Sequence, residues 1–250
     1  MKYPVLLPNI FDHPFTYESL LKLKTGDYVN VPFGRKTITG VVWDKFEKKN
    51  NKKFEIKSVK EKLNIEPLKL QTVDFLNWFS QYNLVPLGMA LKLHLLSGKA
   101  IEKQKNTEYQ KYQIEINKEK FYLSDEQEKV FNELIKKDNS FRVHLLQGTT
   151  GSGKTIVYFK AIEKIVHQGQ QSLILLPEIG LTGEFEKKFK KFFGFEAAVW
   201  HSKITPKRKK VIWSGLTNGK IKVVIGARSA LFLPFKKLGL IVVDEEHDQS

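Results

Sequence analysis

Eight consecutive residues near the middle of the chain, Gly148-Thr149-Thr150-Gly151-Ser152-Gly153-Lys154-Thr155, follow the pattern G-x-x-x-x-G-K-[ST]. Glycines at such spacing let backbone N–H groups turn inward around an anion, and a helix starting behind them adds favourable partial charge. Lys154 can then reach the outer phosphates of a nucleotide, and the Thr155 hydroxyl can ligate Mg²⁺. A random chain of this length would contain the pattern roughly one time in a hundred. A second place completes the chemistry. In "GLIVVDEEHDQS" (239–250) an apolar run delivers Asp244, Glu245, Glu246 and His247. Beside a phosphate loop, a buried strand ends in an Asp that holds Mg²⁺, which fits Asp244, and the next carboxylate, Glu245, is suited to orient the attacking water and take its proton. The catalytic candidates are therefore Lys154, Asp244 and Glu245, and the Mg²⁺ candidates are Thr155 and Asp244.

Other positions carry weaker signals. Gln127 in "LSDEQ" could read the edge of adenine, yet Ser124-x-x-Gln127 is also a capping box whose Gln satisfies a backbone N–H. "PEIGLT" (177–182, with Gly180 and Thr182) and "IGARSALF" (225–232, with Arg228 and Ser229) each follow an apolar strand-like run. Ligands meet a parallel sheet at that end, so both loops could hold nucleic-acid phosphates or be ordinary connections. His201 in "WHS" reads as structural, and "PKRKK" (206–210) as a solvated helix face.

The elements that must position these residues follow from periodicity. "RVHLLQG", "SLILLPE", "KVVIGA" and "GLIVVDEE" are near-continuous apolar runs, the pattern of strands covered on both faces in a parallel sheet. Between them lie the amphipathic stretches "TIVYFKAIEKIVHQG", with a stripe of Ile156, Phe159, Ile162 and Val166, then "GEFEKKFKKFFG" and "TPKRKKVIWSGLTNG". In the last, Thr205 is placed as an N-cap and Pro206 at the first helical position. Residues 123–250 thus read as an α/β lobe on a parallel sheet. Residues 1–62 read as β-rich, from "KYPVLLP", "DYVNVPFG", "TITGVVWD" and "FEIKSVKEKL". Two helices follow. "LQTVDFLNWFSQY" carries Val73, Leu76, Phe79 and Tyr82 at three-residue spacing, and "PLGMALKLHLLSG" runs from Pro86 to Gly98. The expected organisation is a β-rich domain with a helical tail at 1–98, a polar lysine-rich linker at 99–122 whose "YQIEI" reads as a short strand, and the lobe at 123–250.

Composition limits the class. The chain has 250 residues, 41% of them apolar, and no uninterrupted apolar stretch approaches the ~18 residues of a membrane span. Nor does the start resemble a signal peptide, so a cytoplasmic protein without membrane association is expected. With no cysteine the chain offers no thiolate ligand for zinc. A net charge of +15 favours a polyanionic partner such as nucleic acid, although a lysine-rich surface also serves solubility.

Taken in order, "GTTGSGKTIVYF", "LILLPEIGLT", "VWHS", "VVIGARSALFLPF" and "LGLIVVDEEHDQS" resemble the primosomal protein N′ (PriA) family of replication-restart helicases, over essentially all of 123–250. The resemblance implies an ATP-dependent 3′→5′ DNA helicase with ATP and Mg²⁺ as cofactors, Gln127 as adenine reader, and DNA contact through Gly180, Thr182, Arg228 and Ser229. "PFTYES" and "VPFGR" resemble that family's domain for the 3′ end of a nascent strand, with Phe15, Thr16, Gly34 and Lys57 on its terminal-nucleotide pocket. Phe15 could stack on a base, Gly34 could admit close backbone approach, and Lys57 could meet a phosphate. Implied partners are forked or single-stranded DNA with a 3′ end, replication-restart proteins and single-stranded-DNA-binding protein.

Three departures stand out. Thr16 occupies a place where the family has Asp, a better acceptor for a free 3′-OH. Residues 99–122 are too few for the winged-helix domain usual at that point. The family also continues past the Asp-Glu-x-His box with a zinc module and a second motor lobe, whose arginines complete hydrolysis. The 250-residue chain is therefore expected to turn over ATP poorly. Two alternatives stay open: a non-catalytic DNA-end-binding fragment, and the motor lobe of a related superfamily-2 repair or restriction translocase.

Overall fold

The computed structural model describes residues 1–44, 56–95, 109, 112, 121–136, 141–149, 151–177 and 183–244. Contacts group the chain into two compact units. The first comprises Met1–Gln104, Pro206–Thr217 and Phe232–Pro234, and the second Lys105–Thr205, Asn218–Leu231 and Phe235–Ser250. Residues 206–217 and 232–234, which lie within the stretch assigned to the lobe from sequence, thus pack with the N-terminal residues.

The first unit is built on antiparallel strands β1 (Lys2–Leu6), β2 (Phe15–Glu18), β3 (Tyr28–Phe33), β4 (Lys36–Val42) and β5 (Glu61–Lys62), in the order β2-β1-β4-β3-β5. Val5, Leu7, Tyr17, Leu23, Val29, Val31 and Val42 form its core. "FEIKSVKEKL" yields less strand than expected: of its described residues only Glu61 and Lys62 pair along β3, and Ser58 makes a single bridge to Glu18. A segment with so few apolar residues has little to bury by extending the ladder. Backbone bonds to β3 hold β5, and charge adds to them: the buried Asp27 carboxylate accepts from Lys62 Nζ at 2.7 Å and from the Lys24 N–H at 2.9 Å.

Helices α1 (Leu70–Asn83) and α2 (Leu87–His94) follow. Val73 and Leu76 of the expected stripe are buried, but Tyr82 is 73% exposed and Ser80 lies inside instead. Steps of three residues fall short of a full turn, so the stripe rotates off the buried face within two turns. Gly98 and "YQIEI" beyond Tyr112 lie outside the described residues, whereas Tyr109 and Tyr112, in the polar segment 99–122, are buried. Helix α6 (Pro206–Thr217) completes the unit. Its Trp213 donates to the His94 carbonyl at 3.0 Å and meets the Tyr28 ring edge-on.

His94 is fully enclosed, bonded at Nε2 to the Tyr28 hydroxyl and at Nδ1 to the Phe232 carbonyl, both at 2.8 Å. A carbonyl can only accept, so Nδ1 carries the proton and Tyr28 donates to Nε2. The ring is thereby neutral. Burial holds its pKa down to about 4, against a smaller upward pull from Phe232, and burial pushes the Tyr28 hydroxyl up.

The second unit carries a parallel sheet in the order β7-β8-β6-β9: β6 (Gln171–Leu175), β7 (Ala198–Trp200), β8 (Val223–Gly226) and β9 (Leu238–Val243). Helices α3 (Asp125–Leu134), α4 (Lys154–His167) and α5 (Gly183–Phe193) accompany it. Phe159, Ile162 and Val166 of α4 and Phe189, Phe192 and Phe193 of α5 close over Ile174, Val223 and Ile225. Each buried ring is worth roughly 1.5–3 kcal/mol of apolar transfer. Between β6 and β9 the ladder is irregular: Gln171 faces Leu238, but Ser172 already faces Leu240, so Gly239 is an extra residue in β9. No described helix is long and apolar enough to cross a membrane.

One expected strand does not form. Residues 141–149, including the 143–146 run ahead of the phosphate loop, have no regular structure, and Val143 and Leu145 are 83% and 84% exposed. Apolar composition suits a strand, but a strand needs a neighbour, and among the described residues no ladder includes this segment. β9, expected to be covered on both faces, instead alternates between half-buried and exposed residues and stands last in the sheet order.

Candidate nucleotide and DNA-end sites

Four residues wind the phosphate loop into the start of α4. Gly151 (φ 84°) and Gly153 (φ 83°) adopt left-handed conformations that other residues enter only with strain, and Gly153 caps the helix. The Ser152 N–H donates to the Thr149 carbonyl at 3.2 Å, closing the turn. Lys154 donates from Nζ to the Gly148 carbonyl at 2.5 Å and the Thr149 carbonyl at 3.0 Å, so its ammonium lies over the loop. Thr155 is the next residue of the helix. Thr150 lies outside the described residues.

Gln127 fulfils its capping role and does more. Ser124 Oγ accepts from the Gln127 N–H at 3.3 Å, and Gln127 Oε1 accepts from the Ser124 N–H at 3.1 Å, the full capping box of α3. Its other amide atom, Nε2, donates to the Ser152 carbonyl at 3.1 Å. One side chain thus ties the start of α3 to the phosphate loop.

Asp244 follows β9 directly. Its N–H donates to the Leu175 carbonyl at 3.0 Å, and its Oδ2 accepts from the Tyr158 hydroxyl at 2.7 Å. Tyr158 belongs to α4, four residues beyond Lys154 and three beyond Thr155, so it neighbours each of them one turn along the helix. The phosphate-loop helix and the carboxylate of Asp244 are joined by this bond, across 86 residues of sequence. Thr155 carries a hydroxyl and Asp244 a carboxylate, oxygen donors of the kind that Mg²⁺ prefers. Sequence reasoning passed over Tyr158. Glu245, Glu246 and His247 lie outside the described residues.

The sheet's carboxyl end is shared. Leu175 pairs with both Gly226 and Val243, so the ends of β6, β8 and β9 lie level. From β8 the chain enters a 3-10 turn, Arg228–Phe232, with Arg228 and Ser229 exposed and Ala230 fully buried. The turn packs closely: a Cβ added at Gly226 would stand 2.8 Å from both Ala230 Cβ and the Trp200 carbonyl. Gly180 and Thr182 lie outside the described residues. His201 Nδ1 accepts from the Lys203 N–H at 3.2 Å, the structural role expected.

In the first unit, Phe15 opens β2, opposite Val5, and its ring meets those of Phe11 and Phe33, both at 5.3 Å, and His13 at 5.0 Å. Phe33 runs into the turn at Gly34 (φ 58°), so Phe15 and Gly34 share one neighbourhood, and a Cβ at Gly34 would meet nothing within 4 Å. Thr16 is exposed, pointing away from the Phe15 face. Lys57 is exposed too, its carbonyl accepting from the Glu18 N–H at 3.1 Å beside β2. The sequence reading missed Phe11, His13 and Phe33. Alternation at 11, 13 and 15 was visible, but Phe33 is brought in only by the sheet. The loop is fixed from below by α2: Gly88 N–H donates to the Phe11 carbonyl at 3.0 Å and Leu87 N–H to Asp12 Oδ1 at 2.8 Å.

Residues 4–95 match the 3′DNA-binding domain of PriA, and residues 124–250 match the DEAD/DEAH box helicase family. The chain is 39% identical to replication restart protein PriA of Rickettsia conorii over 248 residues, covering 98% of this chain and 37% of the relative. For PriA of Helicobacter pylori (strain J99) the identity is 36%, with 95% and 36% covered, and for that of Bacillus subtilis 42%, with 51% and 16% covered. The chain therefore spans somewhat over a third of the Rickettsia and Helicobacter relatives. An alignment of 248 residues over 98% of the chain leaves no room for a domain-sized insertion, so the Rickettsia protein shares the short connection at 99–122. From these matches and the phosphate loop beside Asp244, the chain belongs to the DEAD/DEAH box helicases and, within them, to the PriA family of replication restart proteins.

Proposed function

We propose that the chain forms the ATP-binding lobe and DNA-end-binding domain of a 3′→5′ DNA helicase acting in replication restart and primosome assembly at stalled forks. The supporting observation is the Tyr158–Asp244 hydrogen bond, which sets a carboxylate on the helix that begins at the phosphate loop. In this proposal the N–H groups of 148–154 and the Lys154 ammonium hold the phosphates, and Thr155 and Asp244 hold Mg²⁺. The metal would neutralise charge developing on the phosphoryl oxygens. Glu245 takes the proton of the attacking water, and Gln127 reads adenine, which requires exchanging its bonds to Ser124 and Ser152. Gly180, Thr182, Arg228 and Ser229 contact DNA, and the whole protein engages replication-restart proteins and single-stranded-DNA-binding protein in a cytoplasmic setting. Domain limits of 1–98, 99–122 and 123–250 go with this proposal. The zinc of the family falls outside this cysteine-free chain.

The test is titration of a fluorescent ATP analogue with Mg²⁺ against wild type and Lys154→Ala. A tenfold or greater loss is expected; equal affinity would refute the ATP site. A second reading, DNA-end binding without turnover, draws on the ring cluster at Phe15, and oligonucleotides ending in 3′-OH and 3′-phosphate address it. With Thr16 in place of a carboxylate, wild type should distinguish the two ends by less than about twofold. Loss of binding in Phe15→Ala with unchanged binding in Lys154→Ala would separate the two functions.

A further inference from the structure

Four lysines gather at the amino end of the parallel sheet, opposite the end at which Asp244 follows β9. Lys220 and Lys222 precede β8 and turn outward on either side of the buried Ile221, while Lys236 and Lys237 precede β9. The two loops are stapled together by Gln171, the first residue of β6 and only 1% exposed. Its Nε2 donates to the Ile221 carbonyl at 2.7 Å, and its Oε1 accepts from the Lys237 N–H at 2.8 Å. Gly219 (φ 75°) packs so closely on the Lys236 stem that an added Cβ would lie 3.3 Å from its Cδ. Lys222 Nζ donates to the Gly169 carbonyl at 3.1 Å, which fixes one ammonium in place. Partial burial, and then the ammonium groups of Lys236 and Lys237, hold Lys222 below the ordinary lysine range. Among the described residues no carboxylate pairs with any of the four.

Such an arrangement costs stability. Like charges are held together by a buried glutamine where dispersal would relieve them, and a bound polyanion removes the cost. We propose that Lys220, Lys222, Lys236 and Lys237 form a contact surface for the phosphate backbone of duplex DNA. Lysine is a point charge that reads phosphate and not base identity. Among the described residues of the two loops the one exposed large apolar side chain is Leu238, which is not aromatic, and Phe235 beside Lys236 is partly buried. Single strands are held by stacking on exposed rings, whereas a duplex keeps its bases inside and presents phosphates, so a patch whose one adjoining ring, Phe235, is partly buried suits the duplex. This inference rests on the DNA-binding reading above.

The experiment compares wild type with the triple variant Lys220→Gln, Lys236→Gln, Lys237→Gln, which leaves the Lys222 anchor intact. A control of equal charge change elsewhere on the lobe is Lys129→Gln, Lys187→Gln, Lys188→Gln, all exposed. Binding of a blunt duplex and of a single-stranded oligonucleotide is followed by fluorescence anisotropy across a salt series, and thermal unfolding verifies the fold. Three phosphate contacts at about 0.9 each predict that the duplex log K–log salt slope falls by about 2.7 in the patch variant, with affinity down at least about tenfold near 0.1 M salt. The control should change the slope by less than one, and the patch variant should melt no lower than wild type. Equal effects of the two variants, or an unchanged duplex slope, overturn the inference while leaving the 3′-end reading intact. A loss as large on single strands overturns the duplex assignment. Wild type that binds neither DNA overturns both.

Discussion

Replacing Tyr158 by Phe removes one oxygen from the second unit and leaves the buried ring in place. That oxygen donates to Asp244 Oδ2 at 2.7 Å, and hydrogen bonds to charged groups contribute about 1.5–3 kcal/mol net. Asp244 is half-buried, so water recovers part of this, and a stability loss of about 1–2 kcal/mol is expected. The functional effect should be selective. A carboxylate freed from its outer-shell donor loses orientation, and such losses cost about tenfold or more in metal affinity. The phosphate contacts proposed for Gly148–Lys154 do not pass through Tyr158. Titrating a fluorescent ATP analogue with Mg²⁺ and with a chelator separates these contributions. Tyr158→Phe should weaken binding about tenfold with Mg²⁺ and less than twofold without it, as should Asp244→Asn, whereas Lys154→Ala weakens both. Equal weakening by Tyr158→Phe in the two conditions would mean that the hydroxyl serves only helix packing. No weakening in either would mean that Asp244 is oriented by something else.

Two further outcomes follow from the first unit. His94 is neutral in the fold with a pKa of about 4 and titrates near 6.5 when unfolded, so the unfolded state binds the extra proton first. Stability contributed by the neutral ring is present above pH 6.5 and is lost as pH falls towards 4, by up to roughly 3 kcal/mol. Urea unfolding from pH 7 to 4.5 should show that dependence flattened in His94→Gln; an identical slope would refute the neutral-histidine assignment. A Cβ at Gly88 would stand 2.6–2.8 Å from the carbonyls of Asn9, Leu7 and Phe11. Gly88→Ala should therefore lower the unfolding free energy by about 1–3 kcal/mol and weaken 3′-end binding, because the Phe11 loop must shift. An unchanged melting temperature would count against that close packing.

The phosphate loop was legible because its chemistry is written in eight adjacent residues, and Asp244 because an apolar run ends at it. Tyr158 was not, since nothing in a tyrosine announces a partner 86 residues away. The 143–146 run shows the same limit from the other side: apolar residues license a strand, but pairing is decided by what lies beside it. Helix α6 declared a buried face through Val211, Ile212 and Leu216, yet not that this face packs with the N-terminal unit. Gln171, a polar residue opening "QSLILL", offered no hint that it would be buried and hold two loops.

The extra residue at Gly239 also decides the parity of β9. Lys237 and Leu238 are tied to Gln171, at the beginning of the strand. Were the ladder to run regularly from there, each later residue would advance one place, about 3.3 Å, and present its side chain to the opposite face. Asp244 would then point away from α4, out of reach of Tyr158. Because one residue is set aside near the start, the carboxylate arrives on the correct side at the end. The orientation of the carboxylate that ends β9 is thus set five residues earlier, by a glycine with no side chain of its own.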